Sequence, residues 1–534
     1  MPTITINGLT LEAKEGSTVL QAAAQAGIEI PHYCYHPGLS VAGSCRMCQV
    51  EVAGMPKLQV ACSTPVKDGM VVNTNIELVR RAQNSVLEFL LVNHPLDCPV
   101  CDQAGECGLQ DYYMRYGRNG SRLADDKLKR QKAKQIGPNV MLDQDRCILC
   151  TRCVRFCEEI AKTSELGVFN RGDHSVVDIY PGRELTNRYS GNVVDICPVG
   201  ALTDRDFRFQ VRVWYLREGD SLCTGCSRGC SICVYNNPAR RHHAGGRRAV
   251  RYKPRFNAQV NKWWMCDEGR YSYKYIDDHR LTHPSCRDGE NPLELPWHEA
   301  AKEICSKLKT ILDKHGPQAV AVLGSAQMCN EDLYLARKFF VETLGITRLT
   351  FAAATDKPGY SDNFLITADK NPNRRGALAT GWPEQLTGEQ GDIVSTAGSS
   401  LKALVVFRHP LAGAADAGAL AELANKLELL VYIGTNECPA AGHAHYVLPA
   451  AAHVERDGTF TNVDGLVQSL FRVIDPIAEA LPEWQIIMQW AGAMGIAYGH
   501  TRCESVFEEM SATLPAFRGL SYSAIGKGGQ PLSA

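Results

Sequence analysis

The sequence predicts two architectures in one chain: an α+β N-terminal half of small, loop-rich units and an α/β C-terminal domain on a parallel sheet. Three observations carry this. Seventeen of the 22 cysteines fall between Cys34 and Cys266. The N-terminal segment has short runs in which apolar and polar residues alternate, the period of a half-buried strand. Beyond residue 273 the cysteines thin out, and apolar runs alternate with helical stretches, as in a parallel sheet covered by helices.

Composition narrows the function classes. The 534 residues suggest three or four domains at roughly 150 residues each. Fifty-seven basic residues against 58 acidic ones give a net charge of -1, which argues against a nucleic-acid binder. No apolar run reaches the roughly 18 residues of a membrane span; the best candidate, Ile486 to Tyr498, is interrupted by Gln489. The start, MPTITING, lacks the charged and apolar regions of a secretory signal. A reducing compartment is therefore expected, where clustered cysteines are metal ligands more often than disulfides. The scattered Cys286, Cys305, Cys329, Cys438 and Cys503 are expected to pack as small hydrophobes.

Taken in order, Ile4 and Ile6 mark a first strand, and Ser17 or Thr18 caps a helix running to Ala26, stopped by Gly27. Val50–Val52, Leu58–Val60 and Met70–Val72 read as further strands. From Ile76 to Val92 the apolar residues Val79, Val86, Leu87, Leu90 and Leu91 suit an amphipathic helix, which Pro95 cannot extend. Residues 117–138 are polar and read as a linker or surface loop. In the C-terminal half, strands are expected at Ala319–Leu323, Ala403–Phe407 and Leu429–Ile433, with helices around Glu331–Leu344 and Leu420–Leu427.

Four groups have metal-ligand spacing. Cys34-x10-Cys45-x2-Cys48-x13-Cys62 offers four thiolates on a β-rich scaffold, suiting a [2Fe–2S] cluster or a four-cysteine zinc site. Gly43, Ser44 and Arg46 favour a tight loop whose N–H groups point at bound negative charge. His94-x3-Cys98-x2-Cys101-x5-Cys107 suits zinc or a [4Fe–4S] cluster. His94 also has a plainer reading, as a cap on the preceding helix. Cys147-x2-Cys150-x2-Cys153-x3-Cys157 is the bacterial ferredoxin run, in which the fourth cysteine of each run serves the other cluster. The second run survives only as Cys197-Pro198. One [4Fe–4S] cluster is thus expected on Cys147, Cys150, Cys153 and Cys197, with Cys157 left as a buried thiol. Finally, Cys223, Cys226, Cys230 and Cys266 suit a further [4Fe–4S] cluster, with Cys233 as a competing ligand. The arginines between residues 240 and 255 read as a solvated loop or a dock for an acidic partner.

At these residues the sequence resembles the large iron–sulfur subunit of NADH-quinone oxidoreductase (respiratory complex I). The carriers are Gly43-Ser-Cys-Arg-Met-Cys48, Asn93-His-Pro-Leu-Asp-Cys-Pro-Val-Cys101, Cys147-Ile-Leu-Cys-Thr-Arg-Cys-Val-Arg-Phe156 and Asp195-Ile-Cys-Pro-Val-Gly200. The resemblance implies a β-grasp [2Fe–2S] ferredoxin-like domain at 1–78 and a His/Cys-ligated [4Fe–4S] domain at 79–118. It also implies an all-cysteine [4Fe–4S] ferredoxin-like domain at 138–215 and a third [4Fe–4S] domain at 216–272, off the main electron path. Cys157 and the long Cys230–Cys266 interval depart from the family pattern. Residues 273–534 resemble molybdopterin oxidoreductases, through Tyr446-Val-Leu-Pro-Ala-Ala-Ala452 and Glu455-Arg-Asp-Gly-Thr-Phe-Thr-Asn462. Their shortness, and Leu466 where that family often has Arg, imply a vestigial domain without molybdopterin.

The chain shows no G-x-G-x-x-G after a strand, no Walker-type loop and no nucleophile triad, so no catalytic residue is assigned. NADH and flavin are expected on a partner subunit, and a downstream iron–sulfur subunit is expected to carry electrons towards quinone. Membrane attachment is expected only through such partners, at the cytoplasmic side of the bacterial inner membrane. The competing readings are the same wire in a soluble NAD-linked formate dehydrogenase or hydrogenase, and a structural zinc protein.

Overall fold

The computed structural model describes every residue except 119, 289–290, 354–355, 357, 387–396, 412–416 and 534. The chain divides into two compact units, one of Met1–Leu216 with His243–Gly245, the other of Arg217–His242 with Gly246–Ala534.

The first unit opens with β1 (Thr3–Ile6), β2 (Leu9–Glu12), α1 (Val19–Gln25), β3 (Gln49–Val52), β4 (Gln59–Val60) and β5 (Val71–Asn73). The strands form one sheet in the order β2-β1-β5-β3-β4, in which β1 and β5 run parallel. Ile4 and Ile6 point inward with Val50, Val52 and Val72, and α1 closes the same core with Val19, Leu20, Ala22 and Ala23. Thr18 caps α1 in a capping box with Gln21.

Next come α2 (Glu77–Leu91) and α3 (Gly108–Tyr116). The polar stretch read as a linker or surface loop is a largely exposed loop tethered back to α2. Arg122 pairs with Glu88 of α2, and Lys127 Nζ donates to the carbonyls of Leu91 (2.6 Å) and Val92 (3.0 Å) at the end of α2. That cation supplies the C-terminal cap which the helix end lacks.

The rest of the unit is a three-stranded sheet (Leu202–Asp204, Val140–Leu142, Lys134–Gln135) and a hairpin (Leu166–Phe169 with Val176–Ile179). Between them run the short helix Arg152–Arg155 and a π turn, Phe156–Ile160.

In the second unit, Arg217–Leu222, Ser231–Asn236 and Ala249–Pro254 form an antiparallel sheet. The arginines read as a solvated loop or a dock for an acidic partner are here mostly half-buried and paired within the chain. Arg251 is buried, Arg248 pairs with Asp277 and Glu455, and Arg247 pairs with Asp278; only the 240–241 end is exposed.

Among the described residues the main sheet has eight strands. Its parallel part runs Glu384–Leu386, Arg348–Ala353, Val320–Ser325, Ala403–Phe407, Leu429–Gly434, Tyr446–Pro449. In chain order that is 3-2-1-4-5-6, a doubly wound sheet whose winding reverses between Val320–Ser325 and Ala403–Phe407. An antiparallel hairpin, Ser285–Asp288 with Asn291–Glu294, extends one edge. Both faces are covered. Val320, Val322, Val405 and Val431 enter one core, and Ala321, Leu323, Leu404 and Leu430 the other, which is why these strands read as unbroken apolar runs. Among the described residues no helix is long and apolar enough to cross a membrane.

Candidate metal centres

Cys34, Cys45, Cys48 and Cys62 meet in the β-sheet unit. Gly43 (φ 60°) and Arg46 (φ 58°) take left-handed backbone conformations that curl the loop around the thiols. Cys34 lies within hydrogen-bonding reach of Cys45 and Cys62, and Cys48 of Cys62; thiol donation holds Cys34 and Cys48 down and drives Cys45 and Cys62 up. Four sulfurs this close cannot all ionise in a bare protein. They become thiolates together only around a positively charged metal core. The N–H of Tyr33 lies 3.5 Å from Cys45 Sγ and adds a donor to the site.

His94 stands just past α2, whose last carbonyls, of Leu91 and Val92, accept from Lys127. Its Nδ1 is buried without a hydrogen-bond partner, an orphan of the kind that calls for an explanation. Burial first, then Arg146, hold the imidazole down at about 4. It is therefore neutral at pH 7, the form that ligates metal. Cys98 opens a 3-10 turn ending at Cys101, and Cys107 precedes α3. Burial pushes Cys107 up to about 11, against the N–H groups of Gln110 and Leu109. Gly200 lies against Cys101, and a Cβ there would collide with Cys101 Sγ.

Cys147, Cys150, Cys153 and Cys197 line one cavity with Leu142, Val177, Val199 and Leu202. Leu149 (φ 54°) and Thr151 (φ 58°) put left-handed residues between the cysteines, and Leu149 N–H donates to Cys147 Sγ at 3.4 Å. Burial pushes Cys147 up to about 11 and Cys197 up to about 12. Cys157 does not line this cavity. It is buried in the π turn, its thiol pushed up to about 12 by burial and then by Glu165.

Cys223, Cys226, Cys230 and Cys266 line a cavity of the second unit. Cys223 N–H bonds the carbonyl of Cys230 at 2.8 Å, and Gly269 N–H donates to Cys266 Sγ at 3.4 Å. A Cβ on Gly269 would come 2.7 Å from Cys223 Sγ. The competitor Cys233 is absent from the lining; its sulfur lies 3.7 Å from the Asp220 carboxylate. Among the described residues no three His, Cys, Asp or Glu side chains are placed to hold a single metal ion. The third and fourth sets instead each line a cavity, the third walled by apolar side chains and the fourth by Gly225, Gly229 and Gly269, and four thiols around one cavity fit a multinuclear cluster of sulfide and iron.

The switch point of the doubly wound sheet is the usual ligand crevice of such folds. Arg408 follows the strand Ala403–Phe407, and Asp332 lies on the helix after Val320–Ser325. Both join a buried network. Arg456 pairs with Asp332 (2.6 Å) and with Glu483, Arg408 pairs with Glu483, and Arg280 pairs with Glu455 (2.8 Å). Most donors of this network are paired within the chain, but Arg456 Nε is buried there without a partner.

Family models match in the same order. Residues 1–77 match a 2Fe-2S iron-sulfur cluster binding domain, 83–122 the NADH-ubiquinone oxidoreductase-G iron-sulfur binding region, and 137–203 the ferredoxin-like domain of NADH-quinone oxidoreductase subunit 3. Residues 280–360 and 387–492 match molybdopterin oxidoreductase. The G subunit of the NADH-quinone oxidoreductase of Rickettsia felis is 40% identical over 342 residues, 64% of this chain and 49% of the relative. The chain is a relative of the NADH-quinone oxidoreductase G subunit. The NADH-ubiquinone oxidoreductase 75 kDa subunit of Reclinomonas americana is 39% identical over 355 residues, 66% of this chain and 50% of that one. The chain thus spans about half the length of the curated relatives it matches. A chain of a NAD+-reducing [NiFe]-hydrogenase is 33% identical, covering 40% of this chain and 91% of that one, with a TM-score of 0.37. Cluster-binding domains of both the 2Fe-2S and 4Fe-4S kinds are therefore present in this relative of the complex I G subunit, followed by a molybdopterin-oxidoreductase-type α/β domain.

Sequence reasoning missed Lys127, Gly269 and the arginines that tie the sites together. Arg146, for instance, bonds Asp97 (2.8 Å) beside the second set and Asp143 just before the third. Lys127 and the Asp97 partner of Arg146 act across 35 to 49 residues of sequence, a distance no local motif reports.

Proposed function

We propose that this chain is an iron–sulfur electron-transfer subunit of an NADH:quinone oxidoreductase. The carrying observation is that the four thiols of the first set lie within hydrogen-bonding reach of one another and that the third and fourth sets each line a cavity. In this reading Cys34, Cys45, Cys48 and Cys62 hold a [2Fe–2S] cluster. His94, Cys98, Cys101 and Cys107 hold one [4Fe–4S] cluster, and Cys147, Cys150, Cys153 and Cys197 a second. Cys223, Cys226, Cys230 and Cys266 hold a third, off the main path. The modules bearing them are those expected at 1–78, 79–118, 138–215 and 216–272.

Bound clusters supply one-electron redox chemistry. The protein supplies burial, which excludes water, and N–H donors aimed at sulfur, which stabilise the negative charge of the reduced form. His94 gives its cluster one neutral ligand in place of a thiolate, making that cluster easier to reduce. The 273–534 domain is structural, without molybdopterin.

Electrons come singly from a flavin- and NADH-binding partner and leave to a downstream iron–sulfur subunit, towards quinone, with proton translocation a property of the complex. The chain is peripheral, on the cytoplasmic side of a bacterial inner membrane, held there by its partners. Reduction of anaerobically prepared protein with dithionite tests this. Bleaching of a brown chromophore and the appearance of paramagnetic signals from both two-iron and four-iron clusters is the expected result. A colourless, redox-silent protein contradicts it.

A further inference from the structure

The first and third cysteine sets share an arginine. Arg155 is 9% exposed, and its guanidinium donates to the carbonyls of Cys34, of Ser40 and, at 3.3 Å, of Cys150. Cys34 belongs to the first set and Cys150 to the third. One helical turn earlier, on the same face, Arg152 donates to the carbonyls of Tyr35 and Ile196, the latter at 3.1 Å. Those two residues adjoin Cys34 and Cys197. One buried cation, Arg155, and one half-buried cation, Arg152, therefore stand where the two sets approach one another, inside a single compact unit.

A guanidinium is charged at every accessible pH, and its planar fork is already shaped to hold several acceptors. The buried carbonyls of Cys34 and Cys150 need donors, and Arg155 satisfies them together with the part-buried carbonyl of Ser40. A neutral donor could do as much, so hydrogen bonding alone does not call for a cation here. The charge is what distinguishes arginine. Reduction adds one negative charge to a cluster, and a cation buried beside it, poorly screened by salt, favours that form.

We propose that Arg155, seconded by Arg152, is a positioning residue common to the first and third sites. It clamps the ligand-bearing backbones of both, and its charge raises the reduction potentials of both bound clusters together. The inference rests on the cluster reading of those two sets.

The test is a redox titration, followed by electron paramagnetic resonance, of the full chain prepared anaerobically with its iron, as wild type, Arg155→Lys, Arg155→Gln and Arg155→Met. The second site's signal is identified by its loss in His94→Ala. Arg155→Lys keeps the charge, and both midpoints are expected to stay near wild type. The two neutral variants are expected to weaken reduction at the first and third sites by roughly tenfold, which is about 59 mV for a one-electron couple, and to leave the second site unchanged. Wild-type midpoints in the neutral variants overturn the proposal. So does a lysine variant shifted as far as they are, or an equal shift at every site. Should the neutral variants lose iron, loss from the first and third sites together supports the shared clamp, while loss from one alone or from all sites overturns it. A wild-type chain without iron–sulfur signals sinks the functional reading itself, whatever Arg155 does.

Discussion

At the scale of single residues, His94 and Cys157 make opposite predictions. His94 has a buried nitrogen without a partner. His94→Ala should abolish or alter one four-iron signal while the other signals persist and the β1–β5 unit stays folded; an unchanged spectrum would remove His94 from the ligand set. Cys157 sits away from the third cavity. Cys157→Ser should leave every cluster signal in place, and loss of the third would mean that the run closes on its own fourth cysteine. Gly200 is the steric counterpart. A methyl group there meets Cys101 Sγ, so Gly200→Ala should disturb the second site, read as a change in its signal or as a loss of its iron. The ligands were legible because their spacing is short and chemically specific. Arg155 was not, because its partner Cys34 lies 121 residues away, and nothing local marks a cation as serving a distant carbonyl.

At the scale of elements, the loop after α3 has a function that its composition concealed. Its charges read as a linker or surface loop, and within that loop Lys127 caps α2 through Leu91 and Val92, immediately before His94. Lys127→Ala should destabilise the first unit by about 1 kcal/mol and loosen the His94 end of α2. Thermal unfolding followed by helix circular dichroism checks the first, and amide exchange at residues 88–92 the second. The apolar strands of the second unit were legible because burial on both faces leaves no polar alternation to misread. The helix read around Glu331–Leu344 was found, but its second half, Lys338–Thr343, is a π turn, a backbone choice that no periodicity announces. The arginines near residue 250 were misread for a similar reason. Their acceptors, Asp277, Asp278 and Glu455, come later in the chain, so from sequence alone they looked unpaired.

At the scale of the whole molecule, the buried histidines set a pH dependence. Burial holds His409 down at about 4 and His453 down at about 3. In the unfolded chain each returns to about 6.5. Between those values the unfolded state binds more protons, so stability is fully present above about pH 6.5 and is lost as pH falls. The melting temperature should drop between pH 7.5 and 5.5, and His453→Asn should drop less over the same interval. The doubly wound order of the sheet could not be read from sequence, because strand order depends on crossovers and not on the composition of any strand. The ion pairs that fill its switch point were hidden too, since Arg456 and Asp332 stand 124 residues apart.

Iron and acid-labile sulfide, measured together with zinc and molybdenum in one anaerobically prepared sample, test the account most directly. One two-iron and three four-iron clusters predict about 14 irons per chain with matching sulfide, and neither zinc nor molybdenum; about ten irons would remove only the fourth site. Stoichiometric zinc without sulfide would contradict the account.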